Sequence, residues 1–363
     1  TLQVTRMLKR QLKNSIYKVS MKYKLNIMPR TLHFKQPAGT SRGIYTTRKS
    51  WIIEATSEDK PCIKGIGECA PLPDLSCDAQ PEYEATLEQL CRMTELTGTL
   101  NHNMLRPYPS ILFGLETALL DLENGGKGIL YDTPFTRGEE GICINGLVWM
   151  GNYDEMLQRL EDKMKAGFRC VKLKIGAIDF DRELDLVHHI REAFDEKQIE
   201  LRLDANGGFA PDVAMTRLEQ LAQYGIHSIE QPIKQHQWAK MAELCASTPI
   251  PIALDEELIG VNMTSMKQDL LDRIQPQYII LKPSLHGGIY GTREWIELAK
   301  ARGIGSWMTS ALESNIGLNA VAQLAADIYG PNIQMYQGLG TGQLFEDNIP
   351  MPLEIKGEKL WRI

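Results

Sequence analysis

The stretch CVKLK at Cys170–Lys174 begins a pattern that organises the middle of the chain. It is a short, mainly apolar run that ends in a charged side chain, and four further runs of the same kind follow it. They are IELRLD at Ile199–Asp204, IHSIE at Ile226–Glu230, IPIALD at Ile250–Asp255 and YIILK at Tyr278–Lys282. Their charged ends are separated by 30, 26, 25 and 27 residues, which is the spacing of one strand–helix unit.

This repeat predicts a (β/α)8-type barrel, in which parallel strands carry functional side chains at their C-terminal ends. A charge at the end of a buried strand is unfavourable unless it faces a site that uses it. The charged ends are therefore expected to form a ring at one mouth of the barrel. The ring consists of Lys174, Asp204, Glu230, Asp255 and Lys282. Such a ring of ammonium and carboxylate groups indicates an enzyme.

The composition indicates a soluble globular protein with more than one domain. The 363 residues suit a barrel of about 200–250 residues together with a second domain of about 100. The net charge of −6 is not that of a general nucleic-acid binder, which carries a basic face. No apolar stretch reaches the roughly 18 residues that a membrane span needs. We therefore expect no nucleic-acid partner and no membrane partner.

The seven cysteines predict a reducing compartment. Their number is odd, their spacing matches no metal finger, and Cys143 and Cys170 lie inside apolar runs. A reduced thiol packs there as a small apolar side chain. The cytoplasm is the simplest localisation for such a chain.

The N-terminal part of the chain is basic. The first 53 residues contain no Asp or Glu, and seven Lys or Arg residues occur in the first 24. A leader of this kind is typical of an organelle transit peptide. The other interpretation, which we favour, treats residues 1–20 as an upstream extension, because Met21 precedes a strand-like segment at Tyr23–Ile27.

Residues 21–135 are predicted to form an α+β capping domain, because β-rich sequence is followed there by helical sequence. A polar, glycine-containing segment at Gln36–Thr47 is predicted as a loop. The strands are expected around Tyr23–Ile27, Ser50–Thr56 and Cys62–Cys69, and the helices at residues 81–97 and 109–124.

Residues 141–340 alternate between strand and helix, and they are predicted to contain eight units of the barrel. The first strand is expected at Ile142–Val148, and the last two at Gly305–Thr309 and Ile333–Gln337. Residues 341–363 contain a Pro-Met-Pro break and a short strand pattern, and we expect them to return to the capping domain.

The three acids of the ring predict a metal site. Carboxylate oxygens are ligands that Mg²⁺ prefers, and three converging carboxylates without a cation repel one another. Asp204, Glu230 and Asp255 are therefore the expected ligands, with Asn206 and Glu256 placed to orient them through hydrogen bonds. The alternative is that the three acids are separate ion-pair partners of loop lysines.

The lysines predict acid–base chemistry. In Lys172-Leu173-Lys174, strand alternation sends both lysines to one face, and two adjacent ammonium groups are expected to lower one pKa toward that of a useful base. Lys282 ends a strand across the barrel mouth. Removal of a proton beside a carboxylate gives an enediolate, which a Mg²⁺ ion stabilises. His227, His236 and His286 lie in segments where a histidine is usually solvated, and no role is assigned to them.

Together, these motifs resemble the muconate-lactonizing subgroup of the enolase superfamily over about residues 21–363. The matching motifs are GIGECAP at residues 65–71, KLK at 172–174, DAN at 204–206, IEQP at 229–232, LDE at 254–256 and LKP at 281–283. The resemblance implies a modified, enolase-like barrel whose α+β cap is completed by the C-terminal segment. It also implies Mg²⁺, with Mn²⁺ able to substitute, and the catalytic residues Lys172, Lys174 and Lys282.

Within the subgroup, the chain is most similar to o-succinylbenzoate synthases of menaquinone biosynthesis. The similarity rests on TSALESNIG at residues 309–317 and on the cap loop GTSRG at residues 39–43. It implies syn-dehydration of 2-succinyl-6-hydroxy-2,4-cyclohexadiene-1-carboxylate to 2-succinylbenzoate, with Lys174 as base and then acid, and Lys282 as an electrostatic group. The implied contacts to this small carboxylate substrate are Thr40, Ser41, Arg42, Ser310, Glu313 and Gly338, the backbone groups of Ser310 and Gly338 being expected to hold a carboxylate.

Other activities share most of these residues. Dipeptide epimerase, N-acylamino acid racemase and muconate-type cycloisomerase remain alternatives, although Gln337–Gly340 lacks the acid pair with which many dipeptide epimerases hold an ammonium group. Gly207 and Gly208 stand where some members of the subgroup have an arginine. The alternative from another class is a catalytically silent binding scaffold, but that interpretation is disfavoured because the chain keeps all five charged residues.

Overall fold

The computed structural model describes residues 22–40, 43–149, 151–176 and 178–363. The basic extension at residues 1–20 and the expected substrate contacts Ser41 and Arg42 lie outside these ranges. The side chain of Thr40 lies outside them as well.

The cap is a three-stranded antiparallel sheet covered by helices. Its strands are β1 (Tyr23–Thr40), β2 (Gly43–Ser57) and β3 (Lys60–Cys69), and its helices are α1 (Tyr83–Thr97), α2 (His102–Leu105) and α3 (Pro109–Glu123). Strand β1 pairs with β2 from Tyr23 opposite Ser57 to Thr40 opposite Gly43, with an irregularity between His33 and Ala38. Helices α1 and α3 begin and end within two residues of their predicted bounds, whereas the short helix α2 was not predicted.

The predicted loop at Gln36–Thr47 is wrong, because the two strands extend through most of this segment as a long hairpin. Its polar and glycine residues resemble a loop locally. The extended backbone is stabilised by burial of neighbouring apolar side chains such as Phe34 and Ala38 against distant parts of the chain.

The glycines of the GIGECAP motif allow helix α3 to lie directly on strand β3. A Cβ atom at Gly67 would stand 2.0 Å from the carbonyl oxygen of Gly114, and one at Gly65 would stand 2.0 Å from that of Ala118. Any side chain at these two positions would force the helix away from the sheet. The motif therefore fixes the packing of the cap.

Seven parallel strands form the barrel sheet, in chain order from β5 to β11. They are β5 (Gly146–Val148), β6 (Cys170–Lys174), β7 (Glu200–Asp204), β8 (Ile226–Glu230), β9 (Ile252–Leu254), β10 (Tyr278–Leu281) and β11 (Gly305–Met308). Lys174 pairs with Asp204, and Asp204 pairs with Glu230, so these strands end at one level. Asp255 and Lys282 follow directly after their strands.

A helix follows each of the seven strands. The helices are α4 (Tyr153–Lys165), α5 (Phe180–Ala193), α6 (Ala214–Ala222), α7 (Trp238–Ser247), α8 (Thr264–Ile274), α9 (Gly288–Lys300) and α10 (Asn315–Tyr329). Their apolar faces and the sheet share one core. In the part of the chain that the structure describes, no helix is long and apolar enough to cross a membrane.

The eighth predicted unit is incomplete, and the prediction of a strand at Ile333–Gln337 is wrong, because this segment forms only isolated bridges. Single bridges join Gln337 to Ile144 and Gly338 to Thr309, and they close the barrel between its first and seventh strands. The side chain of Gln337 replaces part of the missing ladder, because its amide oxygen accepts from the Met308 N–H at 2.7 Å. A short 3₁₀ turn at Thr341–Gln343 follows in place of a helix.

The C-terminal segment divides between two places. Phe345 bridges Phe34 of the cap, and the Glu346 N–H donates to the carbonyl of His33. The final hairpin does not return to the cap. Its strands, β12 (Leu353–Lys356) and β13 (Lys359–Arg362), form a separate sheet with β4 (Ile142–Cys143). Strand β4 precedes the first barrel strand and pairs with β13 of this hairpin.

A third apolar cluster joins the cap to the mouth of the barrel, and we name it the roof cluster. It consists of Leu32, Phe34, Ala38, Leu72, Leu312 and Phe345. Its members come from cap strand β1, the loop after β3, the loop after β11 and the C-terminal segment. The roof cluster therefore holds four separate parts of the chain over one end of the sheet.

Candidate active site

The charged ring surrounds a cavity of about 570 Å³ beneath the roof cluster. Lys172, Lys174, Asp204 and Lys282 line this cavity together with Asn206 and Glu256. Glu230 and Asp255 lie immediately behind them and are fully buried. The expected ring thus lies at a single cavity at the C-terminal end of the strands, where barrels carry their chemistry.

Ammonium groups and carboxylates alternate around the ring. The Lys172 ammonium contacts Glu230 and stands 3.0 Å from an Asp204 oxygen. The Lys174 ammonium stands 3.0 Å from that Asp204 oxygen and donates to the Asn206 side-chain oxygen at 2.8 Å. The Lys282 ammonium contacts Asp255. Each buried charge in this ring therefore has an opposite charge beside it, as burial requires.

The predicted effect of Lys172 on Lys174 stays a prediction, whereas the pKa of Lys172 itself is raised. Burial disfavours its charged form, but the nearby carboxylates of Asp204 and Glu230 outweigh burial and raise the pKa of Lys172. The same balance between burial and the Asp255 carboxylate raises the pKa of Lys282. The acids of the adjacent strands therefore dominate the surroundings of Lys172.

Three carboxylate oxygens at this site are buried without a hydrogen-bond partner among the described residues. They belong to Glu230, Asp255 and Glu256. Buried acceptors are usually paired, and hard oxygen atoms of this kind fit a Mg²⁺-sized cation. With the lysine ammonium groups against the acids, no three acidic, histidine or cysteine side chains of the described residues have the arrangement of a preformed metal site. The donor set fits a divalent cation, and its present partners are lysines.

Asn206 connects the ring to the fourth acid, Glu256. Its side-chain oxygen accepts from Lys174, while its amide nitrogen donates to Glu256 at 2.9 Å. Its backbone N–H donates to Asp204 at 3.1 Å, in a left-handed conformation with φ of 44°. Burial and the neighbouring Asp255 raise the pKa of Glu256 to about 7. Asn206 is thus held in one orientation by three neighbours.

Two buried residues that the sequence analysis left without a role order the loops of the ring. The Gln231 side-chain oxygen accepts from the backbone N–H groups of Asp255 and Glu257. His286 was expected to be solvated, but it is 1% exposed and its Nδ1 accepts from the Lys282 N–H at 2.9 Å. Burial lowers the pKa of His286 to about 3, which keeps its ring neutral. The sequence offered one indication of this role, namely that His286 lies four residues after Lys282.

The expected substrate contacts require two corrections. Ser310 and Gly338 line the cavity, but their backbone N–H groups already donate to the carbonyls of Gly338 and Met308, so neither is available for a substrate carboxylate. Glu313 lies outside the cavity lining and is fully buried. It accepts from the hydroxyls of Ser284 and Ser310 and from the Ala311 N–H, and it thereby ties together the loops after β10 and β11.

The rest of the cavity wall combines polar and apolar side chains, and the sequence analysis did not identify its apolar part. Tyr45, Leu72, Leu75, Trp149, Leu312 and Leu344 contribute to this wall. The Trp149 ring lies 5.9 Å from the Lys174 ammonium, within the range of a cation–π contact. Trp149 directly follows the first barrel strand, and that position was its only signal. An apolar wall around a few charged groups is typical of a small-molecule site.

Comparisons with known proteins agree with this architecture. A family model described as "Enolase C-terminal domain-like" matches residues 155–360, and one described as "MenC, N-terminal domain" matches residues 40–122. The o-succinylbenzoate synthase of Desulfotalea psychrophila is 45% identical over 90% of this chain and 95% of its own length.

Solved structures show the same fold. The crystal structure of MenC from Desulfotalea psychrophila matches with a TM-score of 0.82 and 41% identity, over 94% of this chain and 99% of that one. The substrate-liganded L-Ala-D/L-Glu epimerase of Bacillus subtilis matches with a TM-score of 0.80 over 94% and 96% of the two chains, and at 21% identity it shows the fold alone. The chain belongs to the enolase superfamily, in the group that contains the o-succinylbenzoate synthases.

Proposed function

We propose that this protein is an o-succinylbenzoate synthase, a hydro-lyase of menaquinone biosynthesis. It dehydrates 2-succinyl-6-hydroxy-2,4-cyclohexadiene-1-carboxylate to 2-succinylbenzoate. The observation that carries the proposal is that Lys174 and Lys282 reach one cavity whose neighbouring acids keep buried carboxylate oxygens without a hydrogen-bond partner, the donor type that a divalent cation prefers. The similarity to a synthase over nearly the whole chain supports the same activity.

The acids of the ring would hold the cofactor. Members of the enolase superfamily use a divalent metal. Asp204, Glu230 and Asp255 would bind it here as Mg²⁺, with Mn²⁺ able to substitute. When bound, the cation supplies positive charge near the ring carboxylate of the substrate. Asn206 and Glu256 orient the acids, since they are hydrogen-bonded to each other and to the ring.

Lys174 is the acid–base residue in this proposal. Its neutral amine takes the proton from the carbon beside the ring carboxylate, and the electron pair of that C–H bond passes into the carboxylate and ring. The bond to the neighbouring hydroxyl then breaks, and the ammonium of Lys174 returns a proton to that oxygen, which leaves as water. The ring becomes aromatic. Lys282 keeps its proton and stabilises the transient negative charge from the other side of the cavity.

The apolar wall would exclude water from the reacting carbon. Tyr45, Leu72 and Trp149 line the space in which the ring of the substrate would lie. Excluding water strengthens the interaction of Lys282 with the developing negative charge, because the effective dielectric constant falls. We further propose a reducing, cytoplasmic location, which accords with seven free cysteines.

Dipeptide epimerisation is the second candidate, because the L-Ala-D/L-Glu epimerase of Bacillus subtilis is 29% identical over 82% of this chain. The residues at the end of the barrel sheet disfavour this activity. There the amide of Gln337 is occupied by Met308 and Met335, and no acid follows it to bind a substrate ammonium group.

The test is turnover of the cyclohexadiene substrate with Mg²⁺, monitored by ultraviolet absorbance as the ring becomes aromatic. A panel of dipeptides and an N-acylamino acid, followed by exchange of the α-proton in deuterated water, runs in parallel. We expect rapid dehydration and slow or undetectable exchange. Rapid dipeptide exchange without dehydration would assign the protein to the epimerases instead.

A further inference from the structure

Arg48 lies on cap strand β2, five residues beyond the hairpin end at Gly43, and its side chain is 1% exposed. Within the described ranges, its hydrogen bonds go to backbone carbonyls. It donates to Ala70 at 2.7 Å, to Leu312 at 3.1 Å and to Ala311 at 3.3 Å, and it also donates to Pro71. A single guanidinium therefore joins a cap strand, the loop after β3 and the loop after barrel strand β11.

Each of the three joined segments contributes to the cavity wall. The hairpin contributes Tyr45, the loop after β3 contributes Leu72 and Leu75, and the loop after β11 contributes Leu312. The hydroxyl of Tyr45 also donates to the carbonyl of Pro73 at 2.9 Å, which links the hairpin to the same loop. Arg48 thus lies behind the wall and holds its three parts together without touching the cavity.

Stability alone does not account for a buried guanidinium at this position. Burial lowers the pKa of Arg48, although Glu313 and Glu68 oppose that effect from nearby. Replacing a buried charge and its partners by apolar side chains of similar volume is often neutral or stabilising. What an apolar side chain cannot supply is a set of directed hydrogen bonds to four carbonyls on two different loops.

We propose that Arg48 is a positioning residue for the reaction. It fixes the position of the roof cluster over the cavity, so that the apolar side chains of the wall contact the substrate. This inference rests on the proposed function. It divides the cap hairpin into a base that is fixed to the barrel at Arg48 and an outer part beyond it. Misplacement of a wall by about 1 Å can reduce a rate about a hundredfold, even when no catalytic group has changed.

The experiment compares Arg48→Met and Arg48→Lys with a matched control in the full-length protein supplied with Mg²⁺. The control is Arg191→Lys, because Arg191 also donates to backbone carbonyls, those of Tyr224, Ile199 and Gly225, but lies far from the cavity. We measure kcat and KM for the cyclohexadiene substrate, the melting temperature, and backbone hydrogen exchange without substrate.

For Arg48→Met we expect a fall in kcat/KM of about a hundredfold, with KM raised, and for Arg48→Lys a fall of about tenfold. The ammonium of a lysine can replace only some of the hydrogen bonds that the guanidinium of Arg48 donates. Exchange should rise together in residues 43–57, 70–75 and 309–314. The control variant should have a lower melting temperature than the wild-type protein but the same kcat and KM.

A folded Arg48→Met or Arg48→Lys variant with wild-type kcat/KM would overturn the proposal, as would a control that loses kcat/KM equally. If Arg48→Met does not fold, Arg48→Lys carries the comparison. If the wild-type protein does not turn over the substrate, the proposed function fails. The exchange measurement still decides the positioning role then, because independent exchange in the three segments would contradict it.

Discussion

Lys174 and Lys282 both reach the cavity, but their surroundings differ. Lys174 contacts Asp204 and the amide of Asn206, whereas Lys282 contacts Asp255 and donates its backbone N–H to His286. A base must lose and regain a proton, while an electrostatic group must only remain charged. Arginine keeps the charge but cannot act as a base, so it separates the two roles.

We therefore expect Lys282→Arg to retain measurable dehydration and Lys174→Arg to have none, whereas Lys174→Ala and Lys282→Ala should both be inactive. Steady-state rates of the purified variants, with circular dichroism to check folding, provide the measurement. An active Lys174→Arg enzyme beside an inactive Lys282→Arg enzyme would reverse the assignment. A racemase that used both lysines as bases would tolerate neither arginine.

Asp204 contacts both Lys172 and Lys174, and as a metal ligand it would also bind the cation. A ligand that binds only the folded protein stabilises it by about 2.7 kcal/mol at one hundred times its dissociation constant. We expect Mg²⁺ to raise the melting temperature of the wild-type protein and to have little effect on Asp204→Asn, which should also be inactive.

The control for this measurement is Asp272→Asn. Asp272 is an exposed acid on helix α8 that pairs with Arg302, away from the cavity. Its variant should keep the full Mg²⁺-dependent shift. Equal shifts in the wild-type protein and Asp204→Asn would remove Asp204 from the metal site.

At the scale of elements, helix α3 begins against a buried acid from the loop between β3 and α1. The Asp78 carboxylate accepts from the Ser110 N–H at 2.9 Å and from the Ser110 hydroxyl at 2.6 Å. Burial outweighs these hydrogen bonds and raises the pKa of Asp78 to about 6. The folded protein therefore holds this proton more tightly than the unfolded chain does, in which an aspartate has a pKa of about 3.9.

The sign of the pH dependence follows from this difference. The contribution of Asp78 is fully present below about pH 4 and is lost as the pH rises through about 6, by roughly 3 kcal/mol at most. Asp78→Asn keeps an oxygen acceptor but cannot ionise. We expect the stability of this variant relative to wild type to rise between pH 4.5 and pH 7, measured by urea unfolding. A relative stability that is constant with pH would contradict the raised pKa.

Elements whose pattern is local could be predicted from the sequence. Strands β6 and β8 begin and end at their predicted residues, because each is an apolar run closed by a charge that faces the site. The cap hairpin could not be predicted, since Phe34 is buried against Phe345, more than 300 residues away. The same holds for the site. The ring could be read from spacing, but the raised pKa of Lys172 and the burial of His286 depend on side chains of other strands and loops.

On the scale of the whole molecule, the cap is joined to the barrel by charges as well as by the roof. Arg106 of the cap forms two hydrogen bonds, of 3.0 and 3.1 Å, with Glu294 of helix α9, and Lys267 of helix α8 contacts the same carboxylate at 2.7 Å. Burial opposes ionisation of Glu294, but these two cations outweigh it and lower its pKa to about 2. Removing the carboxylate would leave two cations together at the junction of cap and barrel.

We expect Glu294→Ala to lose about 2–3 kcal/mol of unfolding free energy, and Glu294→Gln to lose less because it keeps one acceptor. Since the pKa of Glu294 is lowered on folding, its contribution is present above about pH 4.5 and disappears as the pH falls toward 2. Urea unfolding at pH 7 and pH 3 tests both statements. A cost to Glu294→Ala that is equal at the two pH values would contradict the ionic role.

The closure of the barrel has a consequence for the order in which the protein becomes competent during synthesis. Gly338 and Gln337 close the sheet, Leu344 and Phe345 then join the cavity wall and the roof cluster, and Ile355 and Gly357 add the last part of the wall. All the charged residues of the ring precede them in the chain. A nascent chain that has emerged from the ribosome only as far as strand β11 therefore carries its full set of reactive groups in an open, unroofed sheet. Catalytic competence therefore arrives late, when residues 337–357 have joined the folded chain.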